Sequence, residues 1–463
     1  MISPIGTRGV RISTYLRRPY TAETLLLTGH FFRRCCRRHS RFFISSSTSS
    51  TKEKVIVISG PTGAGKSKLA LQLAKRLNGE IITADSVQVY RGLDVGSAKP
   101  SLSEREEVVH HMVDLVDPFE DYSVGDFFED ARRTTRDILD RGRVPIVAGG
   151  TGLYLRWFIY GKPDVPKASL DIAAEVHSEL ASLQNDEDWD AAVQLLVKAG
   201  DPGAQCLSAN DWYRLHRRLE IVKSTGSPPS AFEVPYNSFR EQLDSGVTDA
   251  ADVKSSADKL QQSEIKDLEY DFLCYFLSTN RLDLYRAIDF RCEDMLLGTD
   301  ELLSEARWLL DLGLLPNSNP ATRSIGYRQA MEYLLRCREN GGWSSAGDFY
   351  GFLSEFQTKS RHFARRQMSW FRNEQIYEWI NASKPLEKVL SFICDSYNCQ
   401  DGHLQVPESL RMPKDKVNFH QYKEMKSYRT INRHFIGRED CVDVLDRIKE
   451  IYGQKAVSLL TNT

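Results

Sequence analysis

The amino-terminal half of the chain contains the segment Val55-Ile56-Val57-Ile58-Ser59-Gly60-Pro61-Thr62-Gly63-Ala64-Gly65-Lys66-Ser67. Its first four residues form a β-branched run that predicts a buried strand. Leucines at positions 69, 73 and 77 then recur at a spacing of four, which predicts an amphipathic helix. The glycine-rich part between them fits the P-loop pattern in full. Glycines there let several backbone N–H groups face one phosphate at the positive end of the helix.

This loop predicts a binding site for a diphosphate or triphosphate group. Lys66 adds a mobile positive charge, and the Ser67 hydroxyl is a candidate ligand for Mg²⁺ bridging the phosphates. Kinases, ATP-binding NTPases and group transferases all use such a loop, so the motif alone leaves the reaction open. The predicted phosphate-binding residues are Gly60, Pro61, Thr62, Gly63, Ala64, Gly65, Lys66 and Ser67.

Two further strand-and-turn units follow the loop. Residues 80–84 read as a strand that ends at Asp85, and residues 144–148 read as a strand that ends at Gly149-Gly150-Thr151-Gly152. Repeated strand, turn and helix units predict an α/β fold with a parallel sheet. Ligands of such sheets bind at the carboxyl ends of the strands, so we expect Asp85 and Thr151 to face the phosphate loop. Asp85 is then a metal ligand or a general base, and the alternative is a turn or cap residue.

Several ordered blocks resemble the tRNA dimethylallyltransferases, also called tRNA isopentenyltransferases, over about residues 54–380. The longest runs from Thr83 to Pro100 and reads TADSVQVYRGLDVGSAKP. The others are His110-His111 with Asp117-Pro118, Gly149 to Tyr154, Arg323 to Gln329, and Arg365 to Arg372. Such a set of blocks in order is far more specific than the phosphate loop alone.

The resemblance implies transfer of a dimethylallyl group from dimethylallyl diphosphate to N6 of adenosine 37 of tRNA, with release of diphosphate. In plants this modification is also a route to cis-type cytokinins. It implies Mg²⁺ as cofactor, Asp85 as the group that takes the proton from the attacking amine, and Thr62, Lys66 and Arg323 as catalytic residues that hold the diphosphate. The partners implied are the donor and the tRNA anticodon loop, and a monomer is the default expectation.

The resemblance also implies where tRNA is contacted. The residues carried over are Asp85, Ser86, Val87, Gln88, Thr151, Arg214, Arg217, Gly326, Tyr327, Arg328, Arg365, Gln367 and Arg372. Helical spacing independently places Arg361, Arg365 and Arg372 on a face opposite to three aromatic residues, Phe356, Phe363 and Trp370. The arginine face is a candidate phosphate-binding surface, and the alternative is an ordinary solvated helix face. The family usually has proline after the residue matching Asp211, whereas this chain has Trp212, which questions the helix cap there.

The remaining segments suggest a domain plan. Residues 1–52 contain ten Lys or Arg and one acid and end in a serine-rich run, which is typical of a mitochondrial or plastid transit peptide. The alternative is a basic tail on a cytoplasmic protein. We predict a P-loop catalytic core at 53–162 and 267–384, a helical insertion at 163–266 that contacts tRNA, and an extension at 385–463. Residues 232–263 read as a long exposed loop, and Cys394, Cys399 and His403 form only a weak zinc pattern.

Bulk composition excludes little but is consistent with this plan. The net charge is −2 and no apolar run approaches the length of a membrane span, so no membrane partner is expected. The nine cysteines are mostly scattered, which is typical of a reduced compartment. Three rivals stay open: an adenylate isopentenyltransferase acting on free AMP, ADP or ATP, a P-loop kinase of small molecules, and an inactive tRNA-binding protein. The two arginine-containing blocks, at 323–329 and 365–372, favour tRNA over a free nucleotide.

Overall fold

The structure, a computed structural model, describes residues 52–232, 234–235, 268–298, 301–400, 404–414, 425 and 427–450. Nearly all of the predicted leader at 1–52 and of the predicted loop at 232–263 lies outside these residues. Among the described residues, no helix combines the length and the apolar character that crossing a bilayer requires.

The core is a six-stranded sheet in which every pairing is parallel. Its strand order is β3-β2-β4-β1-β5-β6. The strands are β1 (Lys54–Ser59), β2 (Gly79–Ala84), β3 (His110–His111), β4 (Val144–Gly149), β5 (Asp271–Ser278) and β6 (Glu378–Asn381). The three strands predicted from the sequence match β1, β2 and β4 to within a residue at each end. The predicted α/β class with a parallel sheet is therefore confirmed.

Helices cover the sheet and extend beyond it. They are α1 (Lys66–Leu77), α2 (Leu102–Glu107), α3 (Val124–Asp140), α4 (Gly152–Tyr160), α5 (Leu170–Asn185), α6 (Trp189–Lys198), α7 (Trp212–Thr225), α8 (Arg281–Asp294), α9 (Leu302–Asp311), α10 (Pro320–Arg323), α11 (Tyr327–Glu339), α12 (Ala346–Arg372) and α13 (Leu386–Asn398). The first of them directly follows the phosphate loop. Because β1 lies between β4 and β5, this loop emerges at the centre of the sheet's carboxyl edge.

The helices α5, α6 and α7 form an apolar cluster of their own, separate from the cluster around the sheet. Leu180, Leu196 and Leu219 are fully buried in it. Asp211 caps α7, because its carboxylate accepts a hydrogen bond from the backbone N–H of Arg214. The chain therefore keeps the helix cap although Trp212 replaces the usual proline.

The carboxyl-terminal part of the chain packs on the same core. Leu390 and Ile393 of α13 are buried in the sheet's apolar cluster, and residues 442–450 are helical. Cys394 lies on α13 and Cys399 ends it, whereas His403 lies outside the described residues. No group of three metal-ligating side chains occurs in the part of the chain that the structure describes.

Gly149 should be among the least replaceable residues of the sheet. A Cβ there would lie 2.0 Å from the backbone oxygen of Ala84 in the neighbouring strand, so the paired strands must separate to admit it. We expect Gly149→Ala to lower the free energy of unfolding by about 3 kcal/mol, the upper end of the usual cost of overpacking, because the added atom meets backbone. Gly351→Ala is the matched control, since a Cβ at this position in α12 has no neighbour within 4 Å. Denaturant unfolding of both variants would show whether only the first is destabilised.

Candidate active site

A cavity of about 540 Å³ opens at the carboxyl edge of the sheet. Residues from the turns after β1, β2 and β4 line it together with parts of α8 and α12. Ten of the predicted site residues lie on its wall: Thr62, Lys66, Ser67, Asp85, Ser86, Val87, Gln88, Thr151, Arg323 and Gln367. Residues from distant blocks of sequence thus meet in one cavity.

Gln367 of α12 holds the phosphate loop in place. Its Oε1 accepts a hydrogen bond from the backbone N–H of Thr62 at 2.9 Å, and its Nε2 donates to the Gly150 oxygen at 3.0 Å. The side chain is 7% exposed, so both bonds are shielded from water. Gln367 therefore ties the loop after β1 to the loop after β4. This geometry gives the predicted tRNA-contacting residue a positioning role that its sequence block did not indicate.

Arg291 is a site residue that the sequence analysis missed. It lies on α8, lines the cavity, and donates a hydrogen bond from its guanidinium to the hydroxyl of Thr62. Burial lowers the pKa of Arg291, and the charge of Asp85 opposes that shift. Its guanidinium therefore faces the same space as the phosphate loop. Arg323, by contrast, lies at the end of α10, exposed, with its guanidinium 6.0 Å from the centre of the Tyr213 ring.

Lys66 lies in the interior of the phosphate-binding region. Its ammonium group donates to the Pro61 oxygen at 3.0 Å. The residue as a whole keeps some solvent exposure, but the ammonium group is surrounded by protein atoms. This burial lowers the pKa of Lys66 to about 8, with a further decrease from Arg291 and an opposing increase from Asp85. Its charge is thus sensitive to pH in a range where most lysines stay protonated.

Binding of inorganic pyrophosphate should therefore weaken as the pH rises through 8. Below this pH Lys66 is protonated and attracts the anion, whereas above it the charge is lost, so Kd should increase by up to about tenfold per pH unit. Titration calorimetry between pH 7 and pH 10 would measure the effect. Lys66→Arg is the control, because arginine keeps its charge throughout and should flatten the profile. Identical pH profiles of the two proteins would contradict the assignment.

Asp85 sits where β2 ends, on the wall of the cavity. Its Oδ1 accepts a hydrogen bond from the backbone N–H of Val87 at 2.9 Å, which is the turn role left open by the sequence. This bond uses one of the two carboxylate oxygens. Thr151 supports the same turn, since its hydroxyl accepts a hydrogen bond from the Ser86 N–H at 3.2 Å. The turn fixes the carboxylate at the cavity and does not exclude a role in catalysis.

Two other predicted contact residues stabilise the wall of the cavity. Gln88 is 8% exposed and donates to the oxygens of Ser97 and Ala98, both at 3.0 Å. Tyr327 is fully buried, and its hydroxyl donates to Glu305 at 2.6 Å. The Glu305 carboxylate also accepts three backbone N–H groups from residues 94–96. In this conformation Tyr327 therefore stabilises the loop that forms the wall, rather than offering a surface to RNA.

The basic residues outside the cavity differ in their ion pairs and in their exposure to solvent. Arg214, Arg217 and Arg328 each pair with an acid three or four positions away: Asp211, Glu220 and Glu332. Arg365 is exposed. Arg372 is half-buried, with an Nε that finds no hydrogen-bond partner among the described residues, and burial lowers its pKa, with a further decrease from Arg281. Gly326 starts α11 with a φ of 97°.

The prediction that Arg361 shares a phosphate-binding face of α12 with Arg365 and Arg372 is wrong. The Arg361 guanidinium pairs with Asp289 of α8, which is 0% exposed, so it faces the protein interior. Helical spacing cannot anticipate this pair, because the buried carboxylate comes from another helix. Among the aromatic residues, Phe356 is buried in the core and also lines the cavity, as does the half-buried Phe363.

Comparison with known proteins gives consistent matches. A family model described as IPP transferase matches residues 88–374, and a model described as isopentenyl transferase matches residues 53–113. The chain is 63% identical over 398 residues to tRNA dimethylallyltransferase 9 of Arabidopsis thaliana, covering 86% of each protein. It is 36% identical over 330 residues to tRNA dimethylallyltransferase of Protochlamydia amoebophila, covering 71% of this chain and 84% of the relative.

A solved structure of a similar protein also matches the chain. It is described as crystallographic snapshots of a eukaryotic dimethylallyltransferase acting on tRNA. It matches with a TM-score of 0.54 and 27% identity, over 74% of this chain and 79% of that chain.

Proposed function

Since the chain belongs to the tRNA dimethylallyltransferase family, we propose that it transfers a dimethylallyl group from dimethylallyl diphosphate to N6 of adenosine 37 of tRNA. The observation that carries this proposal is the arrangement of charges within one cavity. Lys66 and Arg291 meet at the phosphate loop, and Asp85 is close enough for its charge to affect the pKa of both. A cationic site for a leaving diphosphate therefore lies beside a carboxylate that can accept a proton.

The reaction is a substitution at the first carbon of the donor. The N6 amine forms a bond to this carbon while the bond from carbon to the diphosphate oxygen breaks, and diphosphate leaves with the electron pair. Asp85 takes the proton that the amine loses, which assists a weak nucleophile as the new bond forms. Lys66, Arg291 and the loop N–H groups stabilise the negative charge that accumulates on the leaving group.

The side chains present fit a Mg²⁺ ion as the proposed cofactor. Ser67 lies at the start of α1 on the cavity wall and offers a hydroxyl, and Asp85 offers a carboxylate oxygen. Mg²⁺ commonly binds through one or two such groups together with substrate phosphates and water, so a dedicated protein cluster is not required. When bound, the ion would supply further positive charge to the diphosphate. Ser67 would be its ligand from the protein.

The acceptor base must leave the anticodon-loop stack to reach the cavity, as in other enzymes that modify a base. Tyr122, Tyr154 and Tyr213 line the cavity together with Phe363, and aromatic side chains of this kind can stack on an unpaired base. The exposed Arg365 and the cavity-lining Arg366 lie on α12 next to this opening. We propose that they contact the RNA backbone.

The test of this function is a parallel acceptor assay. Labelled dimethylallyl diphosphate with Mg²⁺ is offered to unmodified tRNA and, separately, to AMP, ADP and ATP. We expect label in tRNA at adenosine 37 and none in the free nucleotides. Label in the nucleotides alone would replace this function with that of an adenylate isopentenyltransferase.

Arg365→Ala should weaken tRNA binding without changing the donor KM. Loss of one phosphate contact should reduce the salt dependence of tRNA binding by about one unit of log–log slope. Binding measured at several salt concentrations would show the change. Arg328→Ala is a useful comparison, since this exposed arginine is already paired with Glu332. An unchanged slope for Arg365→Ala would make this residue part of an ordinary solvated face.

A further inference from the structure

The residues 428–447, which we call the strap, cross the surface of α8 and α12. They lie beyond the residues 88–374 that the family model matches. The strap packs through Phe435, whose ring centre lies 5.0 Å from that of Phe349, and through a Tyr428 ring 5.5 Å from Tyr285. Its far end is fixed by Arg447, which pairs with Glu301 at 3.1 Å.

The main anchor of the strap is the carboxylate of Glu293 on α8, which is 0% exposed. Its Oε2 accepts the N–H of Arg433 at 2.8 Å, and its Oε1 accepts those of His434 and Phe435 at 3.2 and 3.0 Å. Three successive backbone donors therefore hold one buried carboxylate. Leaving a buried carboxylate without such partners is strongly unfavourable. The buried Glu293 of α8 therefore depends on the strap for its hydrogen-bond partners.

A second anchor lies one turn earlier on the same helix. Asp289 is also 0% exposed, and it accepts a hydrogen bond from the Tyr428 hydroxyl at 2.7 Å as well as pairing with Arg361 of α12. Burial raises the pKa of Asp289, and Tyr428 and Arg361 act against that increase. The strap and α12 therefore both bind α8 through Asp289. Arg361 also donates to the Thr430 hydroxyl at 3.0 Å, which joins all three elements.

Arg291 lies on α8 between these two anchors, two residues from each. In a helix, positions two apart point to different sides, and the neighbours confirm it. Arg291 bonds to Thr62, and Ile288 faces the phosphate loop, since a Cβ at Gly63 would lie 3.1 Å from its Cγ1. One side of α8 therefore faces the phosphate loop while the other is attached to the strap.

We propose that the strap positions α8 so that Arg291 meets the donor diphosphate, with Glu293 and Asp289 as positioning residues. This inference rests on the proposed function, which places the diphosphate at the phosphate loop. A small displacement of α8 would move the guanidinium away from Thr62. Misplacement of a site group by about 1 Å can reduce the rate of a reaction about a hundredfold, so even a partial loosening is measurable.

The test compares three variants of the full-length chain. Glu293→Gln places an amide N–H against the strap N–H groups, and Tyr428→Phe removes one bond to Asp289. Tyr350→Phe is the matched control, because the Tyr350 hydroxyl donates to Gly437 of the strap from α12 and not from α8. We expect Kd for inorganic pyrophosphate and KM for the donor to increase about tenfold in Glu293→Gln and about threefold in Tyr428→Phe. The control should stay at the wild-type values, and KM for tRNA should not change.

A double-mutant comparison separates positioning from general stability. In an Arg291→Ala background, Glu293→Gln and Tyr428→Phe should have no further effect on pyrophosphate binding, because the group they position is absent. Unchanged pyrophosphate binding in both single variants, or an equally large effect with Arg291 removed, would overturn the inference. If Glu293→Gln does not fold, Tyr428→Phe alone decides in the same way. An Arg291→Ala variant that binds pyrophosphate normally would instead overturn the donor site itself, and the strap inference with it.

Discussion

Replacing Asp85 by alanine should lower the rate of prenyl transfer by about three orders of magnitude while tRNA binding stays close to the wild-type value. General acid–base groups typically contribute between about a hundredfold and ten thousandfold to a rate. Asp85 lies on the cavity wall and is close enough to affect the pKa of Lys66 and Arg291. The measurement is single-turnover transfer from labelled dimethylallyl diphosphate to tRNA, with tRNA binding measured separately.

The control for this prediction is Asp85→Asn. An asparagine oxygen can still accept the Val87 N–H, so the turn is preserved, but the amide cannot take the proton of the attacking amine. We expect the asparagine variant to be nearly as slow as the alanine variant. If it instead retains most of the wild-type rate, Asp85 acts only through the turn, and the base must be sought elsewhere on the cavity wall.

The central strands could be predicted because their residue patterns are typical of buried strands. Residues 55–58 are all β-branched and residues 144–148 are mostly so, and both lie next to glycine-containing turns, as expected for strands buried on both faces. The strand β5 was missed, although seven of its eight residues are buried. Its sequence, DFLCYFLS, is rich in aromatic residues and has no alternation, so periodicity cannot separate it from a buried helix. The strand β3 has two residues, too few to show any pattern.

The phosphate side of the site was partly predictable for a similar reason. A P-loop is a local motif, and its residues are contiguous from Gly60 to Ser67. Gln367 and Arg291 reach the loop from α12 and α8, hundreds of residues further along the chain. No local sequence pattern identifies Arg291 as a site residue. Its helix carries acidic residues on the side that is buried, where apolar residues are expected. Glu293 can be buried there because it accepts hydrogen bonds from three strap N–H groups, and Asp289 because it pairs with Arg361.

The second large effect is expected at Arg291. Arg291→Ala should lower kcat/KM for the donor about a hundredfold, the usual order for the loss of one group that stabilises developing charge. Its guanidinium contacts Thr62 of the phosphate loop, and its helix is held from behind by two buried carboxylates. The loss should appear in both donor KM and kcat, because the leaving diphosphate is more negative in the transition state than in the bound donor.

The matched variant is Arg323→Ala, which tests a second arginine on the cavity wall. Arg323 is exposed and lies over the Tyr213 ring of α7, on the side of the cavity where the helical segment 170–225 approaches. We expect its loss to change KM for tRNA by more than KM for the donor. The family resemblance had given the diphosphate to Arg323, so the two variants separate two specific assignments. If Arg323→Ala changes KM for the donor strongly and Arg291→Ala changes it little, the diphosphate would be assigned to Arg323, as the family resemblance implied.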